Sequence, residues 1–295
     1  MAIDIQTIMP GASRLGEGAV WDVQDQKLWW VDITGGLIYC YDPEQNEMAR
    51  FEFGEPVGCL ARREKGGLVV AAKSGFWLFD PETGKKQHIS DPEADKPSHR
   101  FNDGTVDYAG RFWAGTMKDD GHPECAGQFY KLDTNLEVTA MDHPAYTTNG
   151  MAFSPDGKRM YFSDSNIRVQ TIWSCAYNLT EGMPGPTSVY FDARSVAGRP
   201  DGGTVDAECH YWMAGINGWQ IYRISPLGEV VMTIDMPVEK PTKPMFGGKN
   251  LDVLYVTSIG FGLTEGTAEK QPDAGGLFAI TGLGITGVPQ PRFQG

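Results

Sequence analysis

A short pattern recurs six times along the chain, and it limits the possible fold more than any other feature. Its clearest copy is Arg100-Phe101-Asn102-Asp103-Gly104-Thr105-Val106-Asp107, followed by Gly110-Arg111-Phe112-Trp113. A polar approach leads to a turn signal, a short apolar strand, a second turn and an aromatic strand. Asp-Gly between β-formers is a hairpin-type signal. Equivalent positions fall at Glu17, Val57, Asn102, Asn149, Asp201 and Thr242, at intervals of 40, 45, 47, 52 and 41 residues. Each unit reads as three or four short strands, with 37 Gly and 19 Pro spread along the chain to serve the turns. Such an array of meanders predicts an all-β, six-bladed β-propeller. One blade cannot bury both of its faces alone, so the array must close on itself. No linker or composition shift interrupts it, and residues 1–295 read as a single domain. Residues 3–9 alternate as a strand that has no blade of its own. They are expected to complete the last blade as its outermost strand. Residues 264–274 carry the one expected short helical turn.

Setting the segments ending at Asp22, Asp107, Ser154 and Asp206 in register makes the repeat informative about function. Five residues before those positions stand Glu17, Asn102, Asn149 and Asp201, with Val57 and Thr242 in the other two units. First strands of propeller blades line the central channel, so these six positions form a ring. Four of the six carry carboxylate or amide oxygens. Taken singly, Asp103-Gly104, Asn149-Gly150 and Asp201-Gly202 are ordinary turn dipeptides. Four oxygen donors at one equivalent position are not expected of independent turns. Converging carboxylates repel one another unless a cation sits among them. Oxygen donors without His or Cys favour a hard ion, Ca²⁺ ahead of Mg²⁺ or Mn²⁺. A polar, water-filled channel is the other reading of the same ring.

The sequence resembles the regucalcin (senescence marker protein) and gluconolactonase family of six-bladed propeller lactonases. The motifs run colinearly along nearly the whole chain: Leu15-Gly16-Glu17-Gly18 with Trp21, Arg100 to Gly104 through Ala114-Gly115-Thr116-Met117, Thr148-Asn149-Gly150, Pro200-Asp201-Gly202, and Phe246-Gly247-Gly248-Lys249-Asn250. The resemblance implies that Glu17, Asn149 and Asp201 bind one divalent metal. It implies that Arg100 and Asn102 contact substrate, and that an acid after the Thr-Met segment helps at the mouth. Asp120 is the closest match for that acid. The implied cofactor is Ca²⁺, with Zn²⁺, Mn²⁺, Mg²⁺ or Fe²⁺ as alternatives. The implied reaction is hydrolysis of an aldono- or aldaro-lactone to the free acid, the metal polarising the carbonyl. The resemblance gives Asp201 the role of catalytic base. A carboxylate on a cation is a weaker base, and a metal-held hydroxide would serve the same step. Two rivals stand beside this reading: a non-catalytic Ca²⁺-binding propeller, and a propeller esterase acting on other lactones.

Composition narrows the partners. A net charge of −13 leaves no basic stripe for nucleic acid or an anionic membrane. A small-molecule sugar lactone is the expected partner, with a monomer as the default. The first residues show no basic-then-apolar leader pattern, and the five cysteines are scattered without C-x-x-C. Both features lead to the expectation of a cytoplasmic protein with reduced thiols. Gly282-Leu283-Gly284-Ile285-Thr286-Gly287 matches G-x-G-x-x-G, but only eight residues follow it, too few for a dinucleotide unit. His99 is expected as a solvated loop residue, the pocket mouth being its other possible place. His122-Pro123-Glu124 reads as a lid loop.

Overall fold

Six four-stranded antiparallel sheets succeed one another along the chain, each a meander numbered outward from its first strand. The computed structural model describes residues 2–11 and 13–295. The first strands are Gly16–Asp22, Val57–Arg62, His99–Val106, Thr148–Phe153, Arg199–Val205 and Pro241–Gly247. Each packs against the first strand of the next blade, and the sixth returns to the first, so the ring is closed around a central channel. The sixth blade consists of Pro241–Gly247, Val253–Ser258, Leu277–Thr281 and, outermost, Asp4–Met9 from the N-terminus, with Ile5 opposite Ile280.

The core lies between blades. Among the described residues the buried apolar side chains form six clusters, one at each junction of adjacent blades. At the fourth-to-fifth junction, for example, Tyr161 and Ile172 meet Tyr211 and Met213. The aromatic second strands of the repeat supply much of this material: Trp29, Trp113, Tyr161 and Trp212 are buried. Alternation places their side chains on both sheet faces, and both faces are covered, as a blade between two neighbours requires.

The C-terminal segment after Thr281 crosses the end of the channel where the first strands finish. Ala207 N–H donates to Thr286 O, Gly287 N–H to Leu251 O, and Gln294 N–H to Gly110 O. The Arg292 guanidinium reaches Asp22, and Phe293 is fully buried against the second and third blades. The G-x-G-x-x-G run is therefore part of a strap that ties five blades together. Phe293→Ala should lower stability by about 3 kcal/mol in a denaturant melt, because it empties a filled site between two blades. The expected partial result is a lower melting point with turnover per folded molecule retained, since the strap lies at the far end from the candidate site.

Among the described residues there are two short 3-10 turns. One, Ala268–Lys270, falls inside the expected segment 264–274. The other, Ala193–Ser195, was not expected; the Asp192 side chain caps it by accepting from Arg194 N–H. Among the described residues no helix is long and apolar enough to cross a membrane.

Candidate metal and substrate site in the channel

Every first strand carries the same irregularity. Its register against the second strand slips between Glu17 and Val20, Val57 and Cys59, Phe101 and Gly104, Asn149 and Ala152, Pro200 and Gly203, and Pro241 and Pro244. A bulge of this kind bends the strand and re-aims the side chains beside it. The six slips fall at the six ring positions; Glu17, Asn102, Asn149 and Asp201 there reach the channel pocket, whereas Val57 packs in the core between the first two blades and Thr242 Oγ1 donates to Gly16 O. Gly18 and Gly150 sit in the bulges with φ of 62° and 65°. At Gly150 a Cβ would also collide with the Tyr211 hydroxyl, which donates to Gly150 O at 2.7 Å.

Two buried carboxylates hold the approaches to the ring. Asp32 accepts from Arg14 N–H and Leu15 N–H at 2.8 and 3.0 Å. Asp164 accepts from Tyr146 N–H and Thr147 N–H at 2.7 and 3.1 Å. The backbone leading to Glu17 and to Asn149 is fixed in this way from the neighbouring second strand.

Glu17, Asn102, Asn149 and Asp201 line one pocket of about 140 Å³ together with Arg100 and Arg199. A space of this order takes one six-membered ring. Its walls include Leu15, Met117, Ile216 and Ile259. A chain of contacts fixes the amides. Arg100 Nη1 donates to Asn102 Oδ1 at 2.7 Å, and Asn102 Nδ2 donates to Asn149 Oδ1 at 3.1 Å. Asn149 Nδ2 donates to Ser165 Oγ at 2.6 Å, and Ser165 Oγ donates to Pro200 O. This orientation leaves Asn149 Oδ1 with a free acceptor position toward the pocket.

The two acids are electrostatically unusual. Burial raises the Glu17 carboxyl well above its ordinary range, and the Asp201 and Asp103 charges push it further. Burial, with Asp103 beside it, pushes Asp201 up to about 7, against the opposing pull of Arg199 and Lys243. Glu17 and Asp201 both line the pocket, and the Asp201 charge disfavours that of Glu17. A pair of this kind shares a proton when nothing more positive is present. Among the described residues no three His, Cys, Asp or Glu side chains converge on a metal-holding group; the Asn149 amide lines the pocket with the two acids. Two facing acids and an aligned amide oxygen are a hard-donor set that fits a divalent cation. One layer below, Lys243 Nζ meets both Asp103 oxygens at 2.9 and 3.0 Å.

Asp120 is not brought to this cluster. Its carboxylate accepts from His122 N–H at 3.0 Å and lies 3.6 Å from Lys118 Nζ. The acid against Arg100 is Asp119, whose Oδ2 accepts from Arg100 Nε at 2.7 Å. Asp119 extends the second strand by one more pairing, N–H to Ser98 O, whereas Asp120 begins the following turn. His99 is neither solvated nor at the mouth: it is buried, with Nδ1 2.9 Å from Glu93 Oε2. Arg199 is the pocket residue that the repeat did not single out, although it stands two residues before Asp201 as Arg100 stands before Asn102.

Comparison with known proteins agrees with the propeller fold. The chain is 34% identical over 293 residues to a 6-deoxy-6-sulfogluconolactonase of Pseudomonas putida, covering 99% of each. It is 31% identical over 299 residues to human (Homo sapiens) regucalcin, covering 100% of this chain and 99% of the relative. Among solved structures, a luciferin-regenerating enzyme superposes with a TM-score of 0.92 at 26% identity, covering 99% of this chain and 100% of that one. A calcium-binding protein, regucalcin, from Agrobacterium tumefaciens gives 0.90 at 26% identity, covering 97% and 95%. The profile of the SMP-30/Gluconolactonase/LRE-like region matches residues 15–260. The channel ring is thus set in a chain that belongs to the SMP-30/gluconolactonase/LRE-like family.

Proposed function

We propose that this protein is a lactonase that hydrolyses a sugar lactone to the free sugar acid, with a divalent cation held by Glu17, Asn149 and Asp201. The observation that carries the reading is the pair of buried, facing acids beside an aligned amide in a pocket sized for one ring. The sulfogluconolactonase relative and the gluconolactonase name of the matched family support the reaction class. Among the hard ions Ca²⁺ is the first choice, supported by the calcium-binding regucalcin relative. When bound, such a cation supplies a Lewis acid for the lactone carbonyl and makes a nearby water more acidic.

The remaining steps belong to the chain. Asp201 lines the pocket and is placed to take the proton of the attacking water, although a bound cation lowers the proton affinity it has in the empty site. Asn102, whose Nδ2 donates to Thr148 O and Asn149 Oδ1 and whose Oδ1 accepts from Arg100, offers the remaining acceptor position of Oδ1 to a sugar hydroxyl. Arg100, fixed by Asp119, stands beside it as a permanent cation for a hydroxyl cluster or a carboxylate. The apolar walls limit water to the open side.

The test is a lactone panel read with a pH indicator. Protein treated with chelator should lose at least about 90% of its turnover, and Ca²⁺, Mn²⁺ or Zn²⁺ should restore it. Full turnover in the stripped protein would refute the cation's part. Calcium titration without turnover of any lactone would favour the calcium-binding reading.

A further inference from the structure

A second tier stands two residues before the ring; Arg100 and Arg199 lie in their first strands, and the other four members stand one or two residues before theirs. Its members are Leu15, Glu55, Arg100, Thr147, Arg199 and Lys240. Four of these line the pocket directly. The ring below is acidic, and the tier above carries three cations against one acid. That acid, Glu55, is occupied by Ser74, which donates both N–H and Oγ–H to it. Arg100 is matched by Asp119. Lys240 is turned to the Phe261 and Gly262 carbonyls.

Arg199 differs from the other two. Among the described residues it has no carboxylate in ion-pair range; its Nη2 donates to Asn217 Oδ1 at 3.1 Å. Its Nε is buried without a hydrogen-bond partner. The nearest acid across Asn217 is Glu239, and that carboxylate is already supplied by Asn217 Nδ2, Thr264 N–H, Thr264 Oγ1 and Gln271 Nε2. Burial holds Lys240 below its usual range; the Glu239 carboxylate opposes this, and repulsion from Arg199 adds to it. In a chain of net charge −13, Arg199 is a pocket-lining cation with no ion-paired carboxylate and a second cation, Lys240, nearby, an arrangement that attracts an anion.

We infer that Arg199 is a specificity-determining residue that binds an anionic group, carboxylate or sulfonate, at the end of the lactone away from its reacting carbonyl. The inference rests on the lactonase reading for the word lactone, but the anion site stands on the tier itself. The two tiers are about 7 Å apart along the strand, within reach of the two ends of a six-carbon sugar acid. Arg199 offers the planar donor fork that such an oxyanion accepts bidentately.

The experiment compares wild type, Arg199→Met and Arg199→Lys on three lactones of one ring size: neutral at carbon six, carboxylated there, and sulfonated there. The ratio of kcat/KM, anionic over neutral, should be roughly 10–100 in wild type and fall toward 1 in Arg199→Met, chiefly through KM. Arg199→Lys should keep part of the ratio, and added salt should reduce it in wild type. The larger of the two anionic ratios identifies the group. In parallel, calorimetric titration of the open-chain dianionic and monoanionic acids should show the same ratio and the same loss. An unchanged ratio in Arg199→Met, or no preference for either anion in wild type, overturns the inference. If no lactone is turned over but acid binding still follows Arg199, the lactonase reading fails and the anion site is supported.

Discussion

Asp201→Asn is expected to lower kcat for lactone hydrolysis by about 10²–10⁴-fold at saturating cation, with the propeller still folded. Asn preserves the volume and one oxygen donor but cannot take a proton. Asp201 is 4% exposed, so no water-borne base replaces it from the side. The same variant carries a stability signature that separates it from a merely broken fold. In chelated protein the folded pKa of Asp201 is raised to about 7, and that of Glu17 is raised too. An acid whose folded pKa is raised contributes stability below its unfolded pKa, and that contribution is lost as pH rises toward the folded value. Chelated wild type should therefore lose stability between about pH 4 and 7 through this pair. Asp201→Asn should flatten that slope and melt above wild type at pH 8. A kcat within about threefold of wild type would remove Asp201 from the reaction; a steep, unchanged slope would remove the facing-acid argument.

The parts of this site that were legible in the sequence are those tied to the repeat. The Asp107 and Asp206 positions that set the register are turn residues, each accepting backbone N–H groups across the first hairpin, at Ala109 and Arg111 and at Glu208 and His210. Counting back five from such a cap reaches the ring because every first strand bears the same bulge. What was not legible depends on where strands end. Asp119 and Asp120 are adjacent acids, and only the last ladder pairing decides which one faces Arg100. His99 looked like a loop residue because nothing in its neighbours announces Glu93 across a turn. The strap from 282 to 295 has neither strand nor helix period, since its side chains are set by the five blades it crosses. Arg199 was hidden by its position beside Pro200-Asp201, where the turn reading satisfied the local pattern.

Lys243→Met should destabilise the protein by about 3–5 kcal/mol, and Asp103→Asn placed on top of it should recover most of that loss. Lys243 and Asp103 are 2% and 1% exposed at their side chains, and their ion pair lies in the channel directly below the acidic ring. Removing the lysine leaves a buried carboxylate without a partner. It also removes the one amino group that opposes the raised proton affinities of both Glu17 and Asp201. Removing both members leaves no uncompensated charge, so the double variant should lie near wild type, and a double-mutant cycle should give a coupling of at least about 2 kcal/mol. The two effects on cation binding then differ in sign. Lys243→Met makes the layer under the ring more negative and should tighten divalent-cation affinity, so added Ca²⁺ should recover part of the lost melting temperature. Asp103→Asn alone leaves the lysine unopposed beneath the ring and should weaken the same affinity. Additive single effects, or equal calcium responses in the two single variants, would show that the pair only fills the channel. The predicted opposition would make it the layer that sets the charge on which the acidic ring operates.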